Sequence, residues 1–232
     1  MTYLPIHRNS IVTLDCIIFG YDGKELKILL IERNEEPFKE WQALPGNFVN
    51  NDESLDDAAE RILYELTGFR GIYMQQFYTF GDLNRHPEGR VITVAYFAMI
   101  RLHGQNEPTP VTGYAKRASW VAVNDIPKLA FDHNQMFEKG FEKIKNKISY
   151  QPIAFELLPE KFTLTQLQNL YEIILNKKLD KRNFRKKILA YDILKELDEK
   201  QKGVSYRAAK LYKFDKRKYS KNFRNELSFS RD

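Results

Sequence analysis

A helix can hold a divalent cation against a diphosphate when it carries carboxylates at i, i+3 and i+4, because those positions project from one side. Residues 46–69, "GNFVNNDESLDDAAERILYELTGF", could form a helix of this kind. Acids stand at Asp52, Glu53, Asp56, Asp57, Glu60 and Glu65 and a base at Arg61, but toward the C-terminal end Glu65 stands between Ile62 and Leu66. Mg²⁺ wants several oxygen ligands, and one carboxylate between two aliphatic side chains is a poor site. We expect no catalytic residue, no metal and no cofactor. Rescue of metal binding by Asp56, Asp57, Glu60 or Asp82 stays open as the alternative. His86 and His133 have no second histidine or cysteine at metal-ligand spacing. The single cysteine, Cys16, sits in the apolar run "CIIF" and reads as a small core residue.

A second chemistry lies at the other end. Between Lys177 and Lys221 there are 13 lysines and 4 arginines against 6 acids, a balance of +11. The chain's formal charge is +6, so the remainder carries −5. A mildly acidic body with a strongly basic C-terminal segment suits nucleic acid or another anionic surface. A merely solvated charged face is the plainer reading of the same composition. A helix starting at Asp180 that buries Phe184 and Ile188 would leave Lys181, Arg182, Asn183, Arg185 and Lys186 on its other faces. Its N-terminal half could enter a major groove, where arginine pairs with guanine and asparagine with adenine. Lys200, Lys202 and Arg207 fall at the tip of a following hairpin, in reach of phosphates or the minor groove.

The elements around these residues follow from periodicity and punctuation. Two apolar runs flank Asp22-Gly23, a pair that favours a tight type I′ hairpin. "WQALPGNFV" reads as a loop. A helix over roughly 54–67 takes Ser54 as cap and Gly68 as stop. "GIYMQQFYTF", "RVITVAYFAMIRL" and "ASWVAV" read as strands. Phe137, Phe141, Ile144 and Ile148 make one face of a helix. Pro152 and Pro159 then interrupt the pattern, which places a domain boundary near 150. Thr163 and Gln166 form a capping-box pattern ahead of an apolar face of Leu164, Leu167, Leu170, Tyr171 and Ile174. After the basic helix, "ILKELD" and "AKLYKFD" alternate as two short strands. No run of eighteen apolar residues occurs, so no membrane span is expected. "MTYLPIHRNS" lacks an apolar signal core, and a cytoplasmic protein is expected.

The segment 46–69 resembles the Nudix box, G-x5-E-x7-R-E-U-x-E-E-x-G-U, with U a bulky aliphatic. Glu53, Arg61, Glu65, Gly68 and Phe69 match it; Asn47, Ile62 and Leu66 depart from it, and the resemblance implies that the family's metal-holding triplet of glutamates falls on Ile62, Glu65 and Leu66. The similarity extends over roughly residues 10–150. The second half resembles a winged helix-turn-helix, and the layout as a whole resembles the Nudix-related transcriptional regulators, with "FDHNQM", "DKRNFRKKIL" and "KLYKF" as further points of likeness. The resemblance implies an α/β Nudix-like domain, a mixed sheet with helices, over 1–150 for effector sensing and dimerisation. A small winged helix-turn-helix domain over 151–232 would bind double-stranded operator DNA.

The family layout implies a homodimeric repressor whose effector sets its operator affinity. Some members respond to ADP-ribose-like nucleotides and control NAD metabolism; a branch with degraded boxes responds to sugars such as L-arabinose. The losses at Ile62 and Leu66 lean toward the sugar branch, since a neutral sugar needs no metal to screen phosphate. The alternative is a metal-dependent Nudix hydrolase of nucleoside diphosphate derivatives with a nucleic-acid-binding tail. The expected ligand contacts are Asp15, Glu32, Arg33, Phe48, Tyr78, Asp82 and Arg90, with Trp41 and Arg85 nearby. Asp15 and Arg33 could instead simply pair with each other. The expected DNA contacts are Lys181, Arg182, Asn183, Arg185, Lys186, Lys202 and Arg207.

Overall fold

Strand β1 (Ile11–Tyr21) is buried on both faces from Leu14 onward, and apart from Asp15 its residues there are those of a strand covered on each side. It lies parallel to β6 (Val91–Arg101) along its whole length, from Ile11 opposite Val91 to Tyr21 opposite Arg101. In this computed structural model, which describes residues 11–102, 107–148, 151–201 and 208–220, the chain divides into two compact units after Asn146.

The first unit holds a seven-stranded mixed sheet. Its path runs β3 (Gln42–Ala43), β2 (Leu26–Arg33), β1, β6, β5 (Gln75–Phe80); β4 (Gly46–Phe48) pairs with β1 and β7 (Ala115–Ala122) with β2. β1 and β2 pair only at one end, at Phe19–Tyr21 and Leu26–Ile28. Toward the other end β1 takes β4 at Thr13–Asp15, while β2 takes β3 and β7. The two strands therefore separate, and the gap between them becomes a cleft.

Helix α1 (Leu55–Thr67) starts at Ser54, whose hydroxyl accepts the Asp57 N–H, and stops at Gly68 in the left-handed region. Its buried face, Ala58, Ala59, Ile62, Leu63 and Leu66, joins the core of Leu14, Ile18, Leu29 and Val94. Helix α2 (His133–Lys147) sits tight on the sheet at Gly140, where a Cβ would lie 2.5 Å from Ile17 Cδ1.

Two local expectations need correction. The β1–β2 connection is not a two-residue type I′ turn but a four-residue loop, Asp22–Glu25, with a positive φ only at Gly23. The Asp22 carboxylate accepts the N–H groups of Lys24 and Glu25, and this side-chain turn replaces the backbone one. The 41–49 stretch is not all loop, since it contains β3 and β4, each paired to a long strand.

The second unit is a winged helix. A 3₁₀ turn (Pro152–Leu157) precedes α3 (Leu164–Leu175), α4 (Lys181–Ala190) and the hairpin β8 (Leu194–Lys200) and β9 (Lys210–Phe214). Thr163 and Gln166 form the capping box of α3, and its Leu164, Leu167, Leu170 and Ile174 are buried. Phe162 and Tyr212 exchange both backbone hydrogen bonds, 2.9 and 2.8 Å, which ties the wing to the segment entering α3. The tip residues Lys202 and Arg207 lie outside the described residues.

Candidate functional site

The cleft between the separated ends of β1 and β2 has a volume of about 200 Å³. Its floor is buried and polar. His133 accepts the Leu44 N–H at Nδ1, 3.0 Å, and its Nε2 faces Asp15 Oδ1 at 3.5 Å. Burial keeps this imidazole neutral, with its pKa down to about 3. With Nδ1 accepting, the proton resides on Nε2 and points at Asp15. Asp15 accepts the Thr93 hydroxyl at 2.9 Å, and its carboxyl is pushed up to about 6 by burial, against the pull of the Arg85 charge. Gly46 packs directly on it: a Cβ there would lie 1.8 Å from Oδ1. Asp15 and His133 thus pin the 44–46 turn to β1 and shape the floor.

Two arginines, Arg33 and Arg85, line the cleft together with the acids Asp15, Glu35, Glu36 and Glu88. Arg85, nearly buried, donates from Nε and Nη2 to both oxygens of Asp132, at 3.0 and 2.8 Å. Arg33 does not bond Asp15; its Nε and Nη2 donate to the Pro37 and Glu35 carbonyls, and its guanidinium lies 4.9 Å from the Phe131 ring centre. In each arginine Nη1 has no hydrogen-bond partner among the described residues. The two side chains come from opposite sides of the cleft, one on β2 and one on the loop after β5, and both line it.

Two of the α1 positions that the resemblance gives to metal-holding glutamates face inward. Ile62 and Leu66 are fully buried in the core. The remaining box carboxylates are taken by Arg61, which donates from Nε and Nη2 to Glu53, at 2.8 and 2.5 Å, and from Nη1 to Glu65 at 3.1 Å. The arginine holds the Glu53 carboxyl down at about 2. What was expected to be a weakened metal site is an ion-pair network.

Of the seven expected ligand contacts, Asp15, Arg33 and Phe48 line the cleft and four do not. Glu32 turns to β7, where it pairs with Lys116 and Arg117 at 3.1 and 2.6 Å. The side chain of a strand residue alternates, so Glu32 leaves the cleft face that Arg33 occupies. Tyr78 is exposed under Lys139, 3.5 Å from its ring centre. Asp82 is exposed in the 81–90 loop, and Arg90 donates to the Gly81 carbonyl. The cleft residues that periodicity did not single out are His133, Phe131 and Tyr114; they arrive from loops and a helix start far along the chain. Phe131, at a positive φ of 53°, stacks on His86 with ring centres 4.9 Å apart.

In the second unit the α3–α4 turn is fixed by Glu172, which accepts from Leu179 N, Gln168 Nε2 and Lys178 Nζ, at 3.0 Å each. Asp180 then caps α4 by accepting the Asn183 N–H at 2.8 Å. Lys181, Arg182, Asn183 and Lys186 stand exposed. Arg185 departs from the expected open face. It is half-buried, donates from Nη2 to Thr165 Oγ1 on α3 at 3.2 Å, and encloses its Nε. Three helical residues from buried Ile188 place it only about 60° off the core direction.

A family model described as the NUDIX domain matches residues 10–140, and one described as the NrtR DNA-binding winged helix domain matches residues 154–214. The ADPR responsive transcriptional repressor NtrR of Acinetobacter baylyi is 36% identical over 97% of this chain and 90% of its own length. The structure of Shewanella oneidensis NrtR complexed with a 27mer DNA matches with a TM-score of 0.74 at 30% identity, covering 90% of this chain and 95% of that one. The NUDIX domain of the same protein complexed with ADP ribose matches with a TM-score of 0.57 at 30% identity, over 62% of this chain and 94% of that one. The lean toward a sugar effector finds no support here. Its premise, that loss of the metal leaves phosphate unscreened, overlooks Arg33 and Arg85 in the cleft.

Proposed function

The chain belongs to the NUDIX family, and on that premise we propose that it is a transcriptional repressor whose first domain senses an ADP-ribose-like nucleotide and whose winged helix binds operator DNA. The observation that carries the reading is a cleft lined by Arg33 and Arg85, each with an Nη1 that has no hydrogen-bond partner among the described residues, beside a box helix with Ile62 and Leu66 at the positions the family gives to metal-holding glutamates. A diphosphate can be held there by guanidinium groups, which match phosphate oxygens. Among the described residues no group of three or more acidic, histidine or cysteine side chains is placed to hold a metal for water attack. ADP-ribose is named because the relative that aligns along the chain is named for its response to it. Control of NAD-related metabolism is the corresponding biological role.

Residues 1–150 serve sensing and dimerisation and residues 151–232 bind DNA, as a homodimer on a palindromic site in the cytoplasm. Lys181, Arg182, Asn183 and Lys186 face the major groove, with Lys202 and Arg207 as wing contacts to the backbone. Arg33, Arg85 and Phe48 contact the effector, and Asp15 positions the floor.

The test uses the full chain. ADP-ribose should bind without Mg²⁺, change operator affinity in a gel shift, and remain intact on incubation with Mg²⁺. Binding and operator affinity are linked, since a ligand shifts DNA binding only by its differential affinity for the two states. Robust Mg²⁺-dependent hydrolysis, or binding that leaves the operator complex unchanged, would overturn the reading.

A further inference from the structure

The cleft of about 200 Å³ is smaller than the ~300–1,000 Å³ of ordinary small-molecule sites. A nucleotide held by Arg33 and Arg85 must therefore extend into the open mouth. Two large aromatic residues line the cleft only half covered: Phe48 is 52% exposed and Tyr114 is 49% exposed. They come from opposite walls, Phe48 from β4 on the β1 side and Tyr114 from the start of β7's approach to β2.

Both are placed by what remains of the metal helix. Arg61, while paired to Glu53 and Glu65, also donates from Nη2 to the Phe48 carbonyl at 2.9 Å. On the other wall the last carbonyls of α1 hold a strap. Thr67 accepts the Thr109 N–H at 2.8 Å, and Glu65 accepts those of Val111 and Thr112 at 2.8 and 3.1 Å. These are helix-end acceptors that have no partner within the helix. The strap is fixed at its far end by Asn34, which donates from its backbone to the Tyr114 carbonyl and from Nδ2 to the Gly113 carbonyl. Glu65, the acid retained from the metal triplet, therefore works through its backbone oxygen as well as through Arg61.

We propose that Phe48 and Tyr114 form a clamp for the flat base of the effector, and that the box remnant Glu53–Arg61–Glu65 is its positioning device. This rests on the nucleotide reading above and adds the base subsite to it. Planar heterocycles stack on aromatic rings irrespective of their edge pattern, so the clamp selects for a base-bearing ligand rather than for its sugar or phosphates. Arg61 is a positioning residue: it touches the Phe48 backbone and not the ligand.

The experiment follows 1,N6-etheno-ADP-ribose, whose base fluorescence is quenched on stacking, with the full-length protein. Wild type should quench the probe on binding. Phe48→Ala/Tyr114→Ala should bind ADP-ribose about tenfold more weakly or worse, with the quenching lost and the melting temperature unchanged. Arg61→Met should weaken quenching in wild type but add little on top of Phe48→Ala, because its effect passes through that ring. Wild type that binds no ADP-ribose sinks the nucleotide reading itself. Wild type that binds while the double variant binds and quenches equally well overturns the clamp alone. Additive losses for Arg61→Met and Phe48→Ala overturn the positioning role.

Discussion

Helix α1 and helix α4 carry similar densities of charge and use them in opposite ways. On α1 the central base is spent inside the molecule: Arg61 on Glu53, Glu65 and the Phe48 carbonyl. On α4, Lys181, Arg182, Asn183 and Lys186 project into solvent, and the acid that begins the helix, Asp180, is occupied with its cap. A surface charge without a partner retains its full field for an incoming ligand, whereas a paired one acts mainly on structure. The comparison separates a helix whose base holds neighbouring segments in place from a helix whose charges stay open to solvent.

The sharpest way to break the comparison is to return a carboxylate to α1. Ile62→Glu should destabilise the protein by about 3–5 kcal/mol, the cost of an uncompensated charge in an apolar core, measured by urea unfolding. A stable variant that binds Mg²⁺ would show that α1 is still a metal helix in waiting.

On α4 the contrast lies within one helix. Arg182→Ala should cost about 1–3 kcal/mol of operator affinity and relax specificity at one base position. Arg185→Ala should act mainly on stability, since its guanidinium bonds Thr165. Gel shifts on operator and scrambled DNA, with parallel melting curves, check both; equal operator losses for the two would remove the distinction.

The cleft floor gives a pH signature. Asp15 has its folded pKa raised from 3.8 to about 6, so it adds stability at low pH that is lost as pH rises through that window. His133 has its folded pKa lowered from 6.5 to about 3, so stability falls as pH drops through that range. Between them the slopes oppose over the shared interval. Asp15→Asn leaves the histidine alone, and stability should then fall by about 1.4 kcal/mol per unit as pH drops through the shared window. Urea midpoints at three pH values in that range test it, and a profile unchanged from wild type would show that Asp15 does not offset His133.

The smallest effect belongs to exposed pairs. Lys161 and Glu199 meet at 2.8 Å with about half of each side chain in water, and Lys161→Ala should cost at most about 1 kcal/mol. A larger loss would mean that the wing depends on that pair for its position.

The sequence by itself determined the helix ends, though not the turn after β1 or the short strands β3 and β4. Ser54, Gly68, Thr163, Gln166 and Asp180 cap or stop their helices where their chemistry allows, because capping is settled within one turn of chain. Likewise it set the domain order, since the box spacing and the basic segment are linear properties. Only the tertiary structure decided which polar residues share a site. Glu32 and Arg33 are neighbours in sequence and face different sides of a strand, while Asp15, Arg85 and His133 are far apart in sequence and converge on one floor. The fate of Arg185 was also tertiary, because helical periodicity leaves a residue at the edge of the buried face undecided until a neighbour such as Thr165 arrives. Periodicity reports which face of an element is buried; it carries no information about what lies across the gap, and a site is made across gaps.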